Sequence, residues 1–278
     1  MRRRRLLVAA LAVGLLTACT AGPAAEAPLP PPSASSASPA GSRWRPAVGV
    51  SWQWQLSGAL DPSVDADVYD VDAELTSAAQ VAELQARGRS VVCYVSVGSW
   101  EPGRPDAARF PTAVVGEPLE EFPDERWLDV RRLDVLGPLL QARLRTCREK
   151  GFDAVEPDNV DGYANRSGFP LTADDQLRFN RFVAAEAHAL GLGVALKNDG
   201  EQVRELEPAF DFAVVEQCVQ YDECGLYRPF LDAGKAVLAA EYEGTPADFC
   251  PVTQPLGVSA IRKNLDLDAY REPCPTSS

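Results

Sequence analysis

Acidic residues close one short apolar segment of the chain. The sequence GFDAVEPDNVDGY, residues 151–163, runs through a largely apolar stretch into Glu156, Asp158 and Asp161. The stretch predicts a buried strand, and a charge that is buried without a partner costs free energy. A protein that keeps three acids at this place needs them for chemistry or for binding.

Polar residues also follow most of the other apolar segments. Eight such segments recur: VGVSWQWQL, ADVYDVD, SVVCYVSVGSWE, FDAVEPDN, LGVALKND, FDFAVVEQC, AVLAAEY and VSAIRKN. Their ends carry Asp70, Asp72, Glu101, Asp158, Lys197, Asp199, Glu216, Glu241, Lys263 and Asn264. We expect some acids to be helix caps or loop charges instead, as at the scattered Asp61 and Asp124.

Repeated carboxylates without a nucleophilic Ser or Cys constellation indicate glycoside hydrolysis. This chemistry needs one protonated and one ionised carboxyl beside the glycosidic bond, and it needs neither a metal nor a cofactor. The single histidine, His188, falls inside a predicted helix, which argues against a Ser-His-Asp triad. A two-metal hydrolase built from carboxylates is the alternative, although such sites usually recruit histidine.

Aromatic residues also lie at or near the predicted strand ends. They are Trp52, Trp54, Tyr69, Tyr94, Trp100, Tyr163, Tyr221 and Tyr242. Aromatic faces stack on sugar rings and hold cations, whereas packing in the core is the alternative for each one. As a set they favour a sugar-binding cleft.

The elements that position these residues are strands alternating with helices. The clearest helix lies in LTADDQLRFNRFVAAEAHALG, where Thr172 caps the start with Asp175 three residues later and Gly191 ends the helix. Eight strand segments separated mostly by helices predict a parallel sheet and a single (β/α)₈ TIM-type barrel, whose active sites lie at the C-terminal strand ends. A doubly wound open sheet is the alternative, but no GxGxxG turn follows the first strand.

The N-terminus has the pattern of an export signal. Arg2–Arg5 precede an apolar run that is short for a membrane span, and the run ends in LTAC at Cys19. This ending resembles a bacterial lipoprotein signal, cut before Cys19, whose thiol then carries a lipid. An ordinary signal peptide with a chance cysteine is the alternative.

These patterns divide the chain into three parts. Residues 1–18 are predicted to be the signal peptide, and residues 19–43 form a linker rich in Pro, Ala and Ser. Residues 44–278 are predicted to be the catalytic barrel. We therefore expect an exported, cell-surface or secreted protein whose folded domain is held away from the membrane.

Six cysteines remain after Cys19, an even number that suggests disulfides in an exported chain. They are Cys93, Cys147, Cys218, Cys224, Cys250 and Cys274. Six cysteines allow many connectivities; Cys218–Cys224 is the most local, Cys250–Cys274 would secure the tail, and Cys93–Cys147 is what then remains. A zinc site is the alternative, but the chain has one histidine and no CxxC pair.

The charge balance limits the possible partners. A formal net charge of −13 disfavours nucleic acid, whose phosphates would be repelled. It suits a cationic or amino-sugar polysaccharide, although an acidic surface also serves solubility. We expect the domain to be a monomer.

Several motifs together resemble glycoside hydrolase family 114, the endo-α-1,4-polygalactosaminidases. They are WQWQLSG, YDVDAE, VVCYVSVGSWE, GFDAVEPDNVDGY, ALKND and VVEQC, and the resemblance covers the chain from about Trp44 to Asn264. It implies a TIM-type barrel that cuts α-1,4-linked galactosamine polymers. Carried over by motif, Asp158 of EPDN would be the nucleophile and Glu216 of VEQC the general acid/base.

The physical setting expected for this pair differs between its members. Lys197, at the neighbouring strand end, would lower the pKa of Asp158 and keep it ionised, whereas apolar surroundings would raise the pKa of Glu216. The predicted substrate-binding residues are Trp52, Tyr69, Asp70, Asp72, Tyr94, Glu156, Asn159, Asp161, Lys197, Asp199, Tyr221 and Glu241.

Two other functions remain open from the residues alone. One is a lipid-anchored carbohydrate-binding barrel without turnover, which would be expected to lack one catalytic acid. The other is a hydrolase of another amino-sugar or neutral α-glycan. The presence of both Asp158 and Glu216 favours an enzyme.

Overall fold

A parallel sheet of eight strands forms the centre of the fold. The computed structural model describes residues 43–275, so the predicted signal peptide, Cys19 and nearly all of the linker lie outside the described residues. The strands are β1 (Trp52–Gln55), β2 (Val68–Asp72), β3 (Ser90–Ser96), β4 (Ala154–Asp158), β5 (Gly193–Lys197), β6 (Phe212–Glu216), β7 (Val237–Glu241) and β8 (Ser259–Arg262). Each lies in one of the eight apolar segments, which confirms the strand prediction.

The strands pair in the order in which they follow along the chain, from β1 to β8. Every neighbouring pair is parallel. A doubly wound sheet would reverse its strand order at a switch point, so that alternative is wrong. The curled sheet has the strand order of a TIM-type barrel.

Side-chain contacts join the two ends of the curled sheet. Within residues 43–275 no backbone ladder joins β1 to β8. Instead the indole Nε1 of Trp52 donates to the carbonyl of Ser259 at 2.9 Å, and Arg271 donates to the carbonyl of Trp52 at 2.6 Å. A short strand, Glu272–Pro273, pairs antiparallel with β8.

Helices cover the outer face of the sheet. They are α1 (Ala78–Ala86), α2 (Leu133–Lys150), α3 (Ala173–Ala189), α4 (Val203–Leu206), α5 (Arg228–Asp232) and α6 (Pro246–Thr253). The predicted cap of α3 is confirmed, because Thr172 and Asp175 form a reciprocal capping box. Gly191, just past the end of this helix, has the positive φ of 76° that glycine adopts readily.

Alternating side chains give the sheet two different faces. On β2, Tyr69 and Val71 belong to the core between sheet and helices, whereas Val68 belongs to a second core inside the curled sheet. The same period of two recurs on β4 and β6, where Val155, Ala213 and Val215 lie in the outer core. Asp158 and Glu216 therefore share the inner face with Val68.

A long excursion separates β3 from α2. It contains a small antiparallel sheet of Ser99–Trp100, Arg126–Leu128 and Val115–Pro118. The segment SVVCYVSVGSWE predicts a third strand that ends at Glu101. This end is wrong, because β3 ends at Ser96 and Glu101 lies in the excursion.

Three disulfides confirm the suggested pairing. Cys93 of β3 is bonded to Cys147 of α2, Cys218 to Cys224 and Cys250 to Cys274. The first joins the sheet to its helical cover, and the last secures the C-terminal segment. Three disulfides indicate an oxidising compartment and hence export. None of the helices in the described part of the chain is long and apolar enough to cross a membrane.

Candidate active site

The two predicted catalytic carboxylates stand at the C-terminal ends of two strands. Asp158 is the last residue of β4 and Glu216 the last residue of β6. Lys197, the last residue of β5, lies between them: its Nζ is 2.9 Å from Asp158 Oδ1 and 3.1 Å from Glu216 Oε2. Because both oxygens contact the same Nζ, the distance between them cannot exceed the sum of these two distances.

The residue after each of these three groups has a left-handed backbone. Asn159, Asn198 and Gln217 have φ values of 61°, 47° and 56°. Such conformations are uncommon outside glycine and collect at functional sites. They turn the chain sharply at the strand end, so the preceding side chain stays directed into the cleft.

Asp158 is held by donors on both of its oxygens. Oδ1 accepts from Lys197 and from the backbone N–H of Asn159 at 2.8 Å, and Oδ2 accepts from the hydroxyl of Tyr94 at 2.9 Å. Burial by itself would raise the pKa of Asp158, but the Lys197 charge and these hydrogen bonds hold it below its usual value. The predicted effect of Lys197 on this carboxyl is confirmed.

Glu216 lies among polar groups. The hydroxyl of Tyr242 donates to its Oε1, and the amide Nδ2 of Asn198 donates to its Oε2 at 3.2 Å. The Oδ1 atom of Asn198 in turn accepts the backbone N–H of Glu216 at 3.0 Å. The expectation of apolar surroundings is wrong, because the apolar Ala213 and Val215 point to the opposite face of the sheet.

Lys197 is the only cation in direct contact with these acids in the described residues. Its side chain is 3% exposed, and its Nζ also lies 3.4 Å from Glu156 Oε1 and 4.7 Å from the centre of the Trp54 ring. The Trp54 indole donates to the other Glu156 oxygen at 3.0 Å. A buried cation with several acidic partners stays charged, and the pKa of Lys197 is well above its usual value despite burial.

A cleft opens above this cluster. Its walls combine the strand ends with the excursion between β3 and α2, which contributes Glu101, Arg104, Leu119, Glu120, Glu121, Phe122, Glu125 and Trp127. Burial is the main cause of two raised pKa values on the cleft, about 6 at Asp161 and about 7 at Glu125. Both carboxyls therefore change charge near neutral pH. A cation bound beside them would lower their pKa values and keep them ionised.

The structure brings seven of the predicted substrate-site and catalytic residues onto the cleft. They are Asp72, Tyr94, Asp158, Asn159, Asp161, Lys197 and Glu216. Of these, Asp72 is partly neutralised, because Arg104 lies 2.7 Å from its Oδ2. The remaining seven predicted residues do not line the cleft.

Three of these seven face inward but lie deeper than the cleft. Asp70 and Glu156 are 0% exposed, one layer below Asp158 and Glu216. Trp52 is also fully buried and belongs to the core inside the sheet. Their predicted contact with substrate is therefore wrong, because each precedes the strand end by at least two residues.

The other four either point to the outer face of the sheet or lie on a loop after the strand. Tyr69 faces outward and donates to the carbonyl of Val64, and Glu241 accepts the backbone N–H of Val219 at 2.8 Å. Asp199 accepts from Asn180 at 2.9 Å. Tyr221 is 57% exposed on the loop after β6. Strand alternation explains the first two corrections.

Asn198 was not predicted as a site residue, and Trp54 and Tyr242 were named only among the aromatic residues that favour a sugar-binding cleft. Trp54, Asn198 and Tyr242 all line the cleft and contact Glu156, Glu216 or Lys197. Tyr242 and Asn198 each follow directly after a barrel strand, and their position at a strand end was a usable signal. The excursion wall offered no comparable signal.

No group of three or more His, Cys, Asp and Glu side chains in residues 43–275 has the arrangement of a metal site.

Comparisons with known proteins agree with this geometry. The model of glycoside-hydrolase family GH114 matches residues 33–278, while a search of curated proteins finds no match. The crystal structure of Aspergillus fumigatus Ega3 in complex with galactosamine is 36% identical with a TM-score of 0.79, covering 84% of this chain and 98% of Ega3.

A more distant structure shares the fold. The glycoside hydrolase domain of PelA from Pseudomonas aeruginosa is 15% identical with a TM-score of 0.61, covering 80% of this chain and 97% of that domain. Since the family match spans most of the sequence, the chain belongs to glycoside-hydrolase family GH114 and is a glycoside hydrolase.

Proposed function

We propose that the enzyme hydrolyses α-1,4-linked galactosamine-containing polysaccharide with retention of anomeric configuration. Asp158 is the nucleophile and Glu216 the general acid/base. The observation that carries the proposal is the single Lys197 ammonium bridging these two carboxylates on the cleft floor, at 2.9 and 3.1 Å.

The spacing of the pair supports retention. Retaining glycosidases hold their carboxyls about 5–5.5 Å apart, and inverting ones about 6.5–9.5 Å apart to admit a water. Both carboxylates contact the same Lys197 Nζ, so their facing oxygens lie close together, an arrangement compatible with the retaining spacing.

The roles follow from the surroundings of each carboxyl. Asp158 is kept ionised by Lys197 and Tyr94, so it attacks the anomeric carbon. The glycosidic C–O bond breaks as Glu216 gives its proton to the leaving oxygen, and a glycosyl ester forms on Asp158. Glu216 then takes a proton from water, which attacks the same carbon and releases Asp158.

The acidity of the cleft supports an amino-sugar substrate. Carboxylates on its walls include Glu120, Glu121, Glu125 and Asp161, and a protonated amino group would pair with them. Trp127 and Phe122 offer apolar faces for sugar rings. The related Ega3 structure contains galactosamine, which favours the same sugar here.

A substrate panel tests this proposal. The parent is incubated with deacetylated galactosaminogalactan, chitosan and a neutral α-glucan, and oligosaccharide release is measured for each. We expect release from the galactosamine polymer alone. Cleavage of chitosan or of the α-glucan instead would move the enzyme to another substrate class.

Variants of the two acids test the roles. Asp158→Ala should be inactive on all substrates, whereas Glu216→Ala should recover the first step on a substrate with a good leaving group. Azide should rescue Glu216→Ala with retained configuration and Asp158→Ala with inverted configuration. Exchanged rescue would swap the roles, and parent-like activity of both variants would reject the pair.

We further propose that the mature protein is tethered to the cell surface by a lipid on Cys19, with residues 19–43 as a spacer. The support is the lipobox-like LTAC ending of the signal sequence and the three disulfides of the folded domain, which fit an exported protein.

A further inference from the structure

A second acidic pair lies below the catalytic carboxylates. Asp70 of β2 and Glu156 of β4 both point into the curled sheet and are 0% exposed. The two carboxyls lie close enough for each to act on the pKa of the other. This pair lies beneath Lys197, whose Nζ is 3.4 Å from Glu156 Oε1.

Three oxygens of this pair have no donor. Asp70 Oδ1, Asp70 Oδ2 and Glu156 Oε1 are buried, and no backbone or side-chain N–H or O–H of residues 43–275 hydrogen-bonds to them. Buried polar atoms are normally paired, and an ionised buried carboxylate without donors is strongly disfavoured. Two carboxyls in contact also cannot both stay ionised at such a site.

We propose that Asp70 is a protonated positioning residue that donates a hydrogen bond to Glu156, and that Glu156 thereby stays ionised and anchors Lys197 between Asp158 and Glu216. The proton forms one hydrogen bond, which joins one oxygen of Asp70 to one oxygen of Glu156. Asp70 touches no substrate; it acts through Glu156 and Lys197.

The two carboxyls differ in the partners that could stabilise a negative charge, and this difference decides which of them carries the proton. Glu156 receives the Trp54 indole N–H at 3.0 Å and faces the Lys197 ammonium, so its charge has partners. Asp70 has neither. Burial raises the pKa of both carboxyls. The pKa of Glu156 rises only to about 7, because the Lys197 charge opposes the rise, whereas that of Asp70 rises well above its usual value, because the nearby Glu156 adds to the effect of burial.

The charged and titratable groups around Asp70 on the inner face and strand ends are Asp72 on its own strand, Tyr94 on β3, Glu156 and Asp158 on β4, Lys197 on β5 and Glu216 on β6. Lys197 is the one cation in this set. Arg104 of the excursion pairs with Asp72, which leaves Lys197 to compensate Glu156, Asp158 and Glu216. A proton on Asp70 therefore reduces the excess negative charge beneath Asp158 and Glu216.

The proposal rests on the proposed catalytic pair, and two variants separate its parts. Asp70→Asn replaces the O–H donor by an N–H donor and cannot titrate, whereas Asp70→Leu removes the donor. We expect Asp70→Asn to turn over galactosamine polymer about tenfold or more faster than Asp70→Leu, since a buried acceptor loses its donor only in the second.

The pH dependence of stability supplies a readout that needs no substrate. A carboxyl whose pKa is raised by folding stabilises the protein fully below its unfolded-state pKa, and this contribution is lost as pH rises through the folded-state pKa. The difference in free energy of unfolding between parent and Asp70→Asn should therefore fall as pH increases. Urea unfolding at a series of pH values measures it, with exposed Asp174→Asn as the control.

Each outcome decides the proposal. A folded Asp70→Asn as inactive as Asp70→Leu, or a parent-minus-Asp70→Asn difference that is flat or rises with pH, would mean that Asp70 is ionised and would overturn the proposal. Should Asp70→Leu fail to fold, the pH series and the activity of Asp70→Asn against the parent decide. A parent inactive on galactosamine polymer would count against the proposed function, while the unfolding series would still test Asp70.

Discussion

The ammonium of Lys197 lies 2.9 Å from Asp158 Oδ1 on a side chain that is almost fully buried. In this setting the ion pair is weakly screened by solvent, so the cation controls the charge of Asp158, the proposed nucleophile. The contact therefore links a buried residue to the pH dependence of the reaction.

Replacing Lys197 with Met should lower kcat/KM by about 100-fold or more, because a preorganised charge is lost from the site. The pKa of Asp158 is held down by Lys197, so its removal should move the acidic limb of the pH–rate profile to higher pH. Rates measured against pH test this. Lys235→Met, which removes a cation bonded to Glu207, should leave the limb in place; an unshifted limb in Lys197→Met would contradict the assignment.

Tyr242→Phe removes the hydroxyl that donates to Glu216 Oε1. In the proposed mechanism Glu216 is ionised once it has given up its proton. Loss of a hydrogen bond to a charged group corresponds to about 10- to 100-fold in rate, so we expect kcat to fall by this factor. The control is Tyr69→Phe, which removes a hydroxyl bonded to Val64 on the outer face and should affect only stability. Equal rate losses in the two variants would place Tyr69 in the site after all.

Gly98→Ala should disturb the backbone at the end of β4, where Asp158 lies. A Cβ at Gly98 would lie 1.6 Å from the carbonyl oxygen of Asn159, so the backbone beside Asp158 must move. Overpacking of this kind costs about 1–3 kcal/mol, and activity should fall together with stability. Gly103→Ala, with nothing within 4 Å of its Cβ, is the matched control. Thermal melts and initial rates measure both, and a parent-like Gly98→Ala would refute the close contact.

The disulfides should differ in what their loss costs. The chain-entropy description predicts about 4 kcal/mol for the bond between Cys93 and Cys147 and about 2 kcal/mol for the short Cys218–Cys224 loop, whose sequence separations are 54 and 6. Paired Ser substitutions and denaturant unfolding test this order. Mass measurement should also show six thiols appearing on reduction of the mature protein, and free thiols before reduction would argue against the three bonds.

Cys19→Ser should release the protein from the membrane fraction into the medium, because the substitution removes the thiol that a lipid would occupy. Cell fractionation with an antibody against the folded domain measures the distribution. A parent already found in the medium, or a variant as membrane-bound as the parent, would exclude the lipid anchor.

The sequence alone indicated the strands, suggested the cysteine pairs without fixing them, and placed Asp158 and Glu216 at strand ends. Apolar segments such as FDAVEPDN and FDFAVVEQC can bury their side chains only as strands of a covered sheet, and motif resemblance singled out Asp158 and Glu216. Tertiary structure decided which polar residues share the cleft. Tyr69 and Glu241 lie on outward positions, since a shift of one residue along a strand changes the face.

The depth of each inward-facing side chain and the residues of the cleft wall were likewise set only by the tertiary structure. Asp70 and Asp72 both face inward from one strand, yet only Asp72 reaches the cleft, because the pairing of neighbouring strands sets the height of each side chain. The wall that carries Glu125 and Trp127 comes from an antiparallel excursion whose pairing partners are separated along the chain. Lys197 contacts three carboxylates only because three strand ends converge there, a convergence that local sequence patterns do not encode.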